Sequence, residues 1–174
     1  MRNILFILLI IQFSQAICQT KYIPKEIDST YSYVDSIGKI ILKTNFDYVT
    51  PFKYNLARVK KNDKWGFIDT TGKVIVPIVY DYVNDFSDSL AIVTTMRGCD
   101  KENLPSFIYR YKCKEKYGFV DLSGKVTMTN YSYIENFKNG YARVFKTPWW
   151  KINETLNIKW FSIDKHLVEY NRGK

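Results

Sequence analysis

The sequence has few of the residues from which catalytic and metal sites are usually built. Its 174 residues include one histidine and three cysteines. A zinc site usually needs four Cys, His or carboxylate ligands, so most such sites are excluded. No phosphate-binding glycine loop or dinucleotide fingerprint occurs. Eight glycines and five prolines are too few for a linker or a fibrous repeat. We expect no cofactor and no enzyme activity.

What the chain does have is aromatic and basic residues. Aromatics make up 17% of the sequence and hydrophobic residues 46%, which is too apolar for a disordered chain. The length fits one domain or a short array of repeats. An excess of 26 Lys and Arg over 17 Asp and Glu gives a net charge of +9. This charge either keeps the protein soluble or attracts anionic polymers and acidic protein surfaces.

The sequence of residues 1–18 is typical of an export signal. Arg2 precedes the apolar run ILFILLIIQF at 4–13. Ten residues cannot span a bilayer of ~30 Å, which takes ~20 residues in a helix, but they suit the apolar core of a secretory signal. Ala16 and Cys18 are small residues at minus three and minus one of a cut after Cys18. We expect a periplasmic or extracellular protein.

Two other uses of this segment are weighed against cleavage. Cys18 could carry a lipid anchor, although a branched Ile17 before the cysteine matches lipoprotein signals poorly. The segment could also stay as an uncleaved anchor. No later stretch is long and apolar enough to cross a membrane, so we expect no transmembrane segment in the mature chain. Residues 19–29 are interpreted as a linker and 169–174 as a tail.

The rest of the chain repeats itself. The motif KWGFIDTTGKV has three further copies, KYGFVDLSGKV, TYSYVDSIGKI and the decayed KWFSIDKHL. A second half, YDYV followed by LAIV, matches FDYV with LARV and YSYI with YARV. Gly38 and Gly72 are 34 residues apart, which sets the period. The copies are 30–63, 64–95, 116–146 and a degenerate 158–168, separated by insertions at 96–115 and 147–157.

These residues resemble the WG (or KWG) repeat of bacterial exported and surface proteins. The resemblance covers residues 30–168 and is strongest for Lys64-Trp65-Gly66-Phe67 with the turn that follows. In the first copy Tyr31-Ser32 stands for Trp-Gly, and in the last Phe161 stands for Gly, which indicates a truncated capping unit. The resemblance implies β-rich repeats in an exported protein and brings no established catalytic residues.

Each copy places a tight turn between two short strands. Asp69 is at the first and Gly72 at the fourth turn position, where a side-chain acceptor and a permissive backbone are favoured. Runs of β-branched and aromatic residues flank the turn, as in a hairpin, and 90–93 would add a third strand. A single hairpin cannot bury its apolar face, so units must stack. We predict an all-β fold of tandem antiparallel hairpin or three-strand repeats, in an open or barrel-like array.

The residues that recur in these copies are assigned structural roles. The aromatic residue of each copy is predicted to be the core residue of the stack. The carboxylate of each copy is predicted to cap a turn, because an acid–base pair is normally made once. The repeated structural residues are Tyr31, Asp35, Gly38, Trp65, Gly66, Asp69, Gly72, Tyr117, Gly118, Asp121, Gly124, Trp160 and Asp164.

Two groups of residues could carry chemistry. Ser162, Asp164 and His166 would alternate on one face of a strand, but neighbours on that face are ~6.6 Å apart along the strand, which is awkward for a catalytic triad. Trp149 and Trp150 lie in the second insertion and would either cap the stack or form a ligand surface.

The first insertion predicts a disulfide between Cys99 and Cys113. A hairpin through 107–111 would bring the two cysteines together, and a bridge needs Cα atoms about 4.4–6.8 Å apart. An exported chain meets an oxidising medium, which favours the bridge over two buried free thiols.

Taken together, these features predict a monomeric, non-enzymatic module that binds an envelope or extracellular protein or glycan. No nucleic-acid motif is present, and export removes the protein from cellular nucleic acid. The alternatives are an envelope hydrolase and a purely structural spacer.

Overall fold

The computed structural model describes residues 22–98, 114–146 and 160–170. In these ranges the regular elements are all β-strands, arranged in four antiparallel sheets. Strands that are consecutive in the chain are neighbours in each sheet. Hydrogen bonds within the described ranges do not close the sheets into a barrel. The predicted all-β repeat fold is confirmed, in its open form.

Each sheet is named here by its order in the chain. Sheet A contains β1 (Ile23–Ile27), β2 (Thr30–Val34) and β3 (Ile40–Phe46). Sheet B contains β4 (Tyr48–Val49), β5 (Leu56–Lys61), β6 (Lys64–Asp69) and β7 (Val74–Tyr80). Sheet C contains β8 (Tyr82–Val83), β9 (Leu90–Arg97), β10 (Lys114–Asp121) and β11 (Val126–Met128). Sheet D contains β12 (Tyr133–Ile134), β13 (Tyr141–Phe145), β14 (Trp160–Asp164) and β15 (Glu169–Tyr170).

A sequence repeat and a sheet are different units. The copy at 64–95 supplies β6 and β7 to sheet B and β8 and β9 to sheet C. The chain changes sheet at a bend at Asp81, whose amide donates to the Thr94 carbonyl over 2.9 Å. The strand predicted at 90–93 is present, but it does not add to the β6–β7 hairpin of its own copy. It pairs with β10 of the next copy, so sheets B, C and D each join the end of one copy to the start of the next.

The sheets stack face to face, and three apolar clusters lie between them. Tyr33 of sheet A packs near Val59 and Ile68 of sheet B. Phe67 of sheet B belongs to a cluster with Val93 of sheet C, and a third cluster lies between sheets C and D. These side chains are almost fully buried. Burial of both faces of an internal sheet provides the main driving force for folding.

The predicted turns are confirmed in detail. The Gly72 amide donates to the Asp69 carbonyl over 3.0 Å, and Gly72 has a φ of 88°, which favours glycine. The Asp69 carboxylate accepts hydrogen bonds from the amides of Thr71 and Lys73 and from the Thr71 hydroxyl. The same pattern of amide bonds closes the turns that begin at Asp35, Asp121 and Asp164.

The boundaries of the array differ from those predicted. The expected linker at 19–29 contains β1, which pairs with β2 just as β5 pairs with β6. The expected tail at 169–174 contains β15, which pairs with β14. Both strands give a partner to a strand that would otherwise be an exposed edge. The first insertion is also shorter than predicted, because β9 and β10 extend into 96–115.

The glycine of the Trp-Gly pair is required by a close backbone approach. A Cβ on Gly66 would lie 2.5 Å from the Val76 carbonyl oxygen and 2.8 Å from that of Pro77. The register between β6 and β7 shifts at this point, so the backbones are closer than in a regular pair. In sheet D, β15 pairs only with Ser162 and Ile163 among the described residues, and Phe161 takes the glycine position.

Candidate functional site

The repeated aromatic residue is not the core residue that the sequence predicts. Trp160 is 40% exposed, and Trp65 is only partly buried. Trp65 and Phe67 point to the same face of β6, and Phe67 is the residue that is fully buried. Trp65 lies two residues nearer the hairpin turn, where the neighbouring sheet no longer covers it fully. The core position is therefore taken by the residue two places further along the strand.

In sheets B, C and D, the repeated aromatic shares its face of the sheet with a second aromatic residue, which is exposed. Tyr48 is in register with Lys60, which is in register with Trp65, so the three share one face. The corresponding set of sheet C begins with Tyr82 and that of sheet D with Tyr133. We call the whole set the aromatic row, which consists of Tyr31, Tyr48, Trp65, Tyr82, Tyr117, Tyr133 and Trp160.

Aromatic contacts connect members of this row from one sheet to the next. Tyr48 of sheet B makes edge-to-face contacts with Tyr31 of sheet A, at 5.3 Å, and with Trp65, at 5.9 Å. Tyr133 of sheet D contacts Tyr117 of sheet C at 6.2 Å and Trp160 at 6.1 Å. These are favourable ring geometries. They also hold the exposed rings in fixed positions.

The tyrosines of the row were missed at the sequence level. Tyr48, Tyr82 and Tyr133 each follow the sheet-changing residue in the aligned FDYV, YDYV and YSYI motifs. This common position in the repeat could have identified them from the sequence. That they line the same edge as the repeated aromatics follows only from the structure, in which β4, β8 and β12 begin a new sheet.

The aromatic row lies beside the hairpin edge, defined as the tips at which β1–β2, β5–β6, β9–β10 and β13–β14 turn back. The β5–β6 tip is a two-residue turn at Asn62 and Asp63, both with positive φ. The other central tip is different, because Arg97 and Lys114 are opposite each other and the first insertion joins them. β13 ends at Phe145 and β14 begins at Trp160, which are opposite each other, so the second insertion also joins the array at this edge.

Both insertions contain residues singled out by the sequence. Trp149 and Trp150, Cys99 and Cys113 all lie outside the described residues. The structure gives the disulfide no support, and the roles of the two tryptophans stay predictions. Only the roots of the insertions, next to the aromatic row, are placed.

Arg58 ties sheet B to sheet C at this edge. Its guanidinium lies 5.7 Å from the Trp65 ring centroid, and Nη1 donates to the Val83 carbonyl over 3.2 Å. Its Nε lies 2.9 Å from Asp85 Oδ1, although the N–H is not directed at that oxygen. Ion pairing, rather than a hydrogen bond, is what this last contact provides. One side chain therefore spans the interface between two sheets.

The interface between sheets C and D has a groove at the same edge. In the aligned LARV, LAIV and YARV motifs, Ile92 takes the place of Arg58 and Arg143. The groove has a volume of about 370 Å³. Its walls are made by residues of both sheets, namely Tyr82, Asn84, Ile92, Thr94, Glu115 and Tyr117 of sheet C and Ser132, Tyr133, Ile134 and Phe145 of sheet D.

Glu115 is the charged residue among those that line this groove. It lies two residues before Tyr117 on β10, on the same face of the strand. The Tyr117 hydroxyl donates to the Glu115 carboxylate. The groove therefore combines aromatic rings, amide and hydroxyl groups, and a single carboxylate in a chain whose net charge is +9.

Arg143, the second arginine at the aligned position, lies on the outer face of sheet D. Its guanidinium is 4.9 Å from the Trp160 ring centroid. Two nitrogens donate to the Glu135 carboxylate over 2.6 and 2.9 Å. These bonds lower the pKa of Glu135 from its ordinary value. The pair of Arg58 with Trp65 is thus repeated, with a carboxylate from the same sheet.

The Ser162, Asp164 and His166 set is not arranged as the sequence predicts. Ser162 and Asp164 are on β14, but His166 lies in the turn that follows and is exposed. Asp164 accepts hydrogen bonds from the Val168 and His166 amides and the Tyr170 hydroxyl. The Val168 amide is the main cause of a lowered Asp164 pKa. These contacts are those of a turn cap.

His166 also borders a second groove, at the opposite end of sheets C and D. It has a volume of about 500 Å³. Asp121 and Lys125 line it together with Lys165, but the Asp121 carboxylate already accepts bonds from the turn, chiefly from the Ser123 hydroxyl, which lowers its pKa. Charges of both signs line this groove, so it shows no preference for a ligand of one charge.

Within residues 22–98, 114–146 and 160–170, no group of three or more His, Cys, Asp or Glu is placed to hold a metal ion. No helix in the described part of the chain is long and apolar enough to cross a bilayer.

The stacked sheets, the capped turns and the offset between copy and sheet define a tandem β-repeat protein. The family model of the WG-containing repeat matches residues 31–65, 65–95 and 117–147, which is more than half of the chain. The chain belongs to the WG-containing repeat family. No curated protein and no solved structure matches it.

Proposed function

We propose that this protein is a non-enzymatic, exported interaction module that binds a protein or a glycan through its hairpin edge. The observation that carries this proposal is the aromatic row. Several of its rings contact one another, and Tyr82 and Trp160 keep 44% and 40% of their surface exposed. Rings that present a flat apolar face and a polar rim suit both protein partners and sugar rings.

The insertions support the same edge. Both leave the array at β-hairpin tips that adjoin the row, one after Gly98 and one after Lys146. In repeat proteins, insertions map to loops on one face, which is often the binding face. Loops on a rigid scaffold are also where binding residues concentrate. The tips and the row together form one continuous candidate surface.

Export rests on the sequence of residues 1–18. The test is the mass of the protein recovered outside the cytoplasm. We expect a product that begins at residue 19. A product that keeps residues 1–18, or one that carries a lipid on Cys18, would contradict cleavage by the ordinary signal route.

Binding is tested with the exported protein on a glycan array and on an array of peptides. The row variant carries Tyr82→Ala and Trp160→Ala. A matched control carries Tyr54→Ala and Tyr141→Ala, two tyrosines with 51% and 50% exposure that lie outside the row. We expect the row variant to lose at least about 90% of any signal, since aromatic residues dominate binding energy. The control variant should retain its signal.

Two results would overturn the proposal. Equal losses in the two variants would show that exposed aromatics in general, and not the row, produce the signal. Binding by neither protein to any sugar or peptide would favour the structural spacer. Circular dichroism of all three proteins establishes that the comparison concerns folded chains.

A further inference from the structure

We propose that the second groove, at the end of sheets C and D opposite the hairpin edge, binds a short peptide with free termini. The amino group of the peptide would lie beside Asp88. Its carboxylate would lie beside Lys125 and Lys165, and an apolar side chain would pack on Leu167. This inference goes beyond the proposed function, because it concerns another edge of the array and another class of ligand.

The groove exists because a small residue replaces a large one. At the matching place between sheets B and C, Ile75 fills the space, since a Cβ added to Gly124 would lie 2.4 Å from its Cγ2 atom. Between sheets C and D, Thr127 takes the place of Ile75 in the aligned motifs GKVIV and GKVTM. The space there has a volume of about 500 Å³. That volume is within the range of small-ligand sites, which is about 300–1,000 Å³.

The facing wall in sheet D also differs from its counterparts. Leu167 is at the position where the other three capped turns have glycine, and it has a positive φ of 63°. Bulky residues rarely adopt this conformation, and strain of this kind is kept mainly at ligand-binding and switch positions. The Leu167 side chain packs against the apolar cluster between sheets C and D and lines the groove. The turn therefore gives the groove an apolar wall that a glycine would not provide.

The negative Asp88 and the positive Lys125 lie on opposite sides of sheet C. Leu90 on β9 is in register with Asp121 on β10, and the Asp121 amide donates to the Lys125 carbonyl over 3.1 Å. These three residues form a row across the sheet. Asp88 is in the turn just before Leu90, at the β9 end of the row. Neighbouring strands are ~4.8 Å apart, so the two ends of the row are ~10 Å apart.

The β11 side of the groove has an excess of positive charge. Lys165 and His166 lie in the turn after β14 and line the groove together with Lys125 of sheet C. The Asp121 carboxylate lies on this side too, but it already accepts hydrogen bonds from the Ser123 hydroxyl and the Lys125 amide. Two lysine ammonium groups beside one engaged carboxylate favour a ligand carboxylate here.

The β9 side favours an ammonium group. Asp88 Oδ2 accepts the Gly140 amide over 2.8 Å, which holds the side chain across the interface. A carboxylate that accepts one bond still has lone pairs for an ammonium group. An extended chain rises ~3.3–3.6 Å per residue, so about three residues span the ~10 Å between Asp88 and Lys125. A ligand of one charge would be repelled at one side, whereas a free peptide carries opposite charges at its two ends.

The test is an NMR titration of the ¹⁵N-labelled full exported chain with the tripeptide Ala-Leu-Ala at neutral pH. We expect the amide signals of Thr127 and Leu167 to shift. Three matched probes each remove one feature: the N-acetylated tripeptide lacks the ammonium group, the tripeptide amide lacks the carboxylate, and triglycine lacks the apolar side chain. Each should bind at least about fivefold more weakly, because charge-assisted hydrogen bonds and apolar burial both contribute to binding.

Two variants assign the ends of the peptide. In Asp88→Asn the side chain can still accept the Gly140 amide, and asparagine tolerates the positive φ. This variant should weaken binding of Ala-Leu-Ala at least about fivefold and leave binding of the acetylated probe unchanged. Lys125→Gln should weaken binding of the free acid and leave that of the amide unchanged. Lys73→Gln, in the matching turn of sheet B, is the control and should bind every probe as wild type does.

A third variant tests the apolar wall. Leu167→Gly places in this turn the residue that the other three turns have, so the fold should be kept. It should reduce the affinity for Ala-Leu-Ala to that for triglycine. An unchanged preference for Ala-Leu-Ala would show that the leucine side chain binds elsewhere.

Three outcomes would overturn the inference. Equal shifts by Ala-Leu-Ala and its two blocked forms would show that the terminal charges are not recognised. Shifts caused by inorganic phosphate but not by the tripeptide would indicate an anion site on the lysine side. No shift of Thr127 or Leu167 with any probe would show that the groove binds no peptide. The variant with Tyr82→Ala and Trp160→Ala should bind Ala-Leu-Ala as wild type does, so a failure here is distinguishable from a failure at the hairpin edge.

Discussion

The interfaces on the two sides of sheet C are built from the same repeat, yet an arginine side chain spans one of them and a groove lies in the other. Between sheets B and C, Arg58 bridges from Trp65 to the Val83 carbonyl and Asp85. Between sheets C and D, Ile92 takes that place and a groove remains. Below the groove the apolar packing continues, with Phe119 and Val144 almost fully buried. The fold therefore does not need the arginine to stack its sheets.

This comparison separates two roles within one repeat. Most inner positions of the strands are apolar, because they form the clusters that hold the sheets together. The positions nearest the hairpin edge are free to differ, because they contribute less buried area. A change there alters the surface of the array without altering its architecture.

The largest expected effect distinguishes the two central hairpins. Gly66→Ala should destabilise the protein by about 3 kcal/mol, since two carbonyl oxygens lie within 2.8 Å of the new Cβ and backbone must move. Gly118→Ala should cost less, because its nearest contact, at 2.7 Å, is the flexible Met128 side chain and only the Thr127 carbonyl oxygen, at 2.9 Å, is a backbone atom within 3 Å. Urea unfolding measures both. Ser32→Ala, at the matching position of β2, is the control, and equal costs for the two glycines would contradict the argument.

The next largest effect should come from replacing Arg58, whose side chain links sheet B to sheet C. Arg58→Ile loses a cation–π contact, a hydrogen bond to Val83 and an ion pair, and should cost about 1–3 kcal/mol. It should also make the interface between sheets B and C resemble its open neighbour. Urea unfolding gives the cost, and Arg97→Ile, on an exposed residue, is the control. If Arg58→Ile loses no stability, the contacts of Arg58 between sheets B and C do not stabilise the fold.

The turns between β6 and β7 and between β10 and β11 should make the free energy of unfolding depend on pH in the same way. The Thr71 hydroxyl is the main cause of a lowered pKa at Asp69. A lowered native pKa stabilises the fold above the ordinary value of 3.8, and this stabilisation is lost as the pH falls through the native pKa. The deficit of Asp69→Asn relative to wild type should therefore be full at neutral pH and shrink below pH 3.8.

Urea unfolding at a series of pH values measures this deficit. Asp121→Asn should behave alike, because the Ser123 hydroxyl acts on Asp121 in the same way. A deficit that stays constant down to pH 2 would show that the charge on the carboxylate contributes nothing.

The smallest effect is expected at the outer arginine. Glu135→Gln breaks a largely solvent-accessible ion pair with Arg143, in which the two side chains are 34% and 55% exposed. Exposed pairs contribute little, so the melting temperature should fall by less than about 2 °C. Differential scanning calorimetry at low and at high salt measures this change. A loss of stability as large as that expected for Arg58→Ile would mean that the ion pair of Glu135 with Arg143 contributes more than its exposure indicates.

Much of the local structure could be predicted from the sequence because its causes are local. Asp69 and Gly72 close a turn through contacts within five residues, and the same letters at the same spacing mark the turns at Asp35 and Asp121. The recurrence of the motif was enough to predict stacked β-repeats. Likewise, the glycine of the Trp-Gly pair could be recognised as necessary, though its steric reason could not.

The sequence alone thus determined the repeat, its period and its capped hairpins, since each depends on neighbours along the chain. Tertiary structure decided which sheet each strand joins, because the bend at Asp81 takes β8 and β9 into a new sheet, in which β9 pairs with β10 of the next copy. It also decided that Trp65 lies at the edge and Phe67 in the core, since burial depends on where the facing sheet ends. The groove beside Ile92 is likewise decided by the tertiary structure. Its walls come from two copies, and only stacking brings them together.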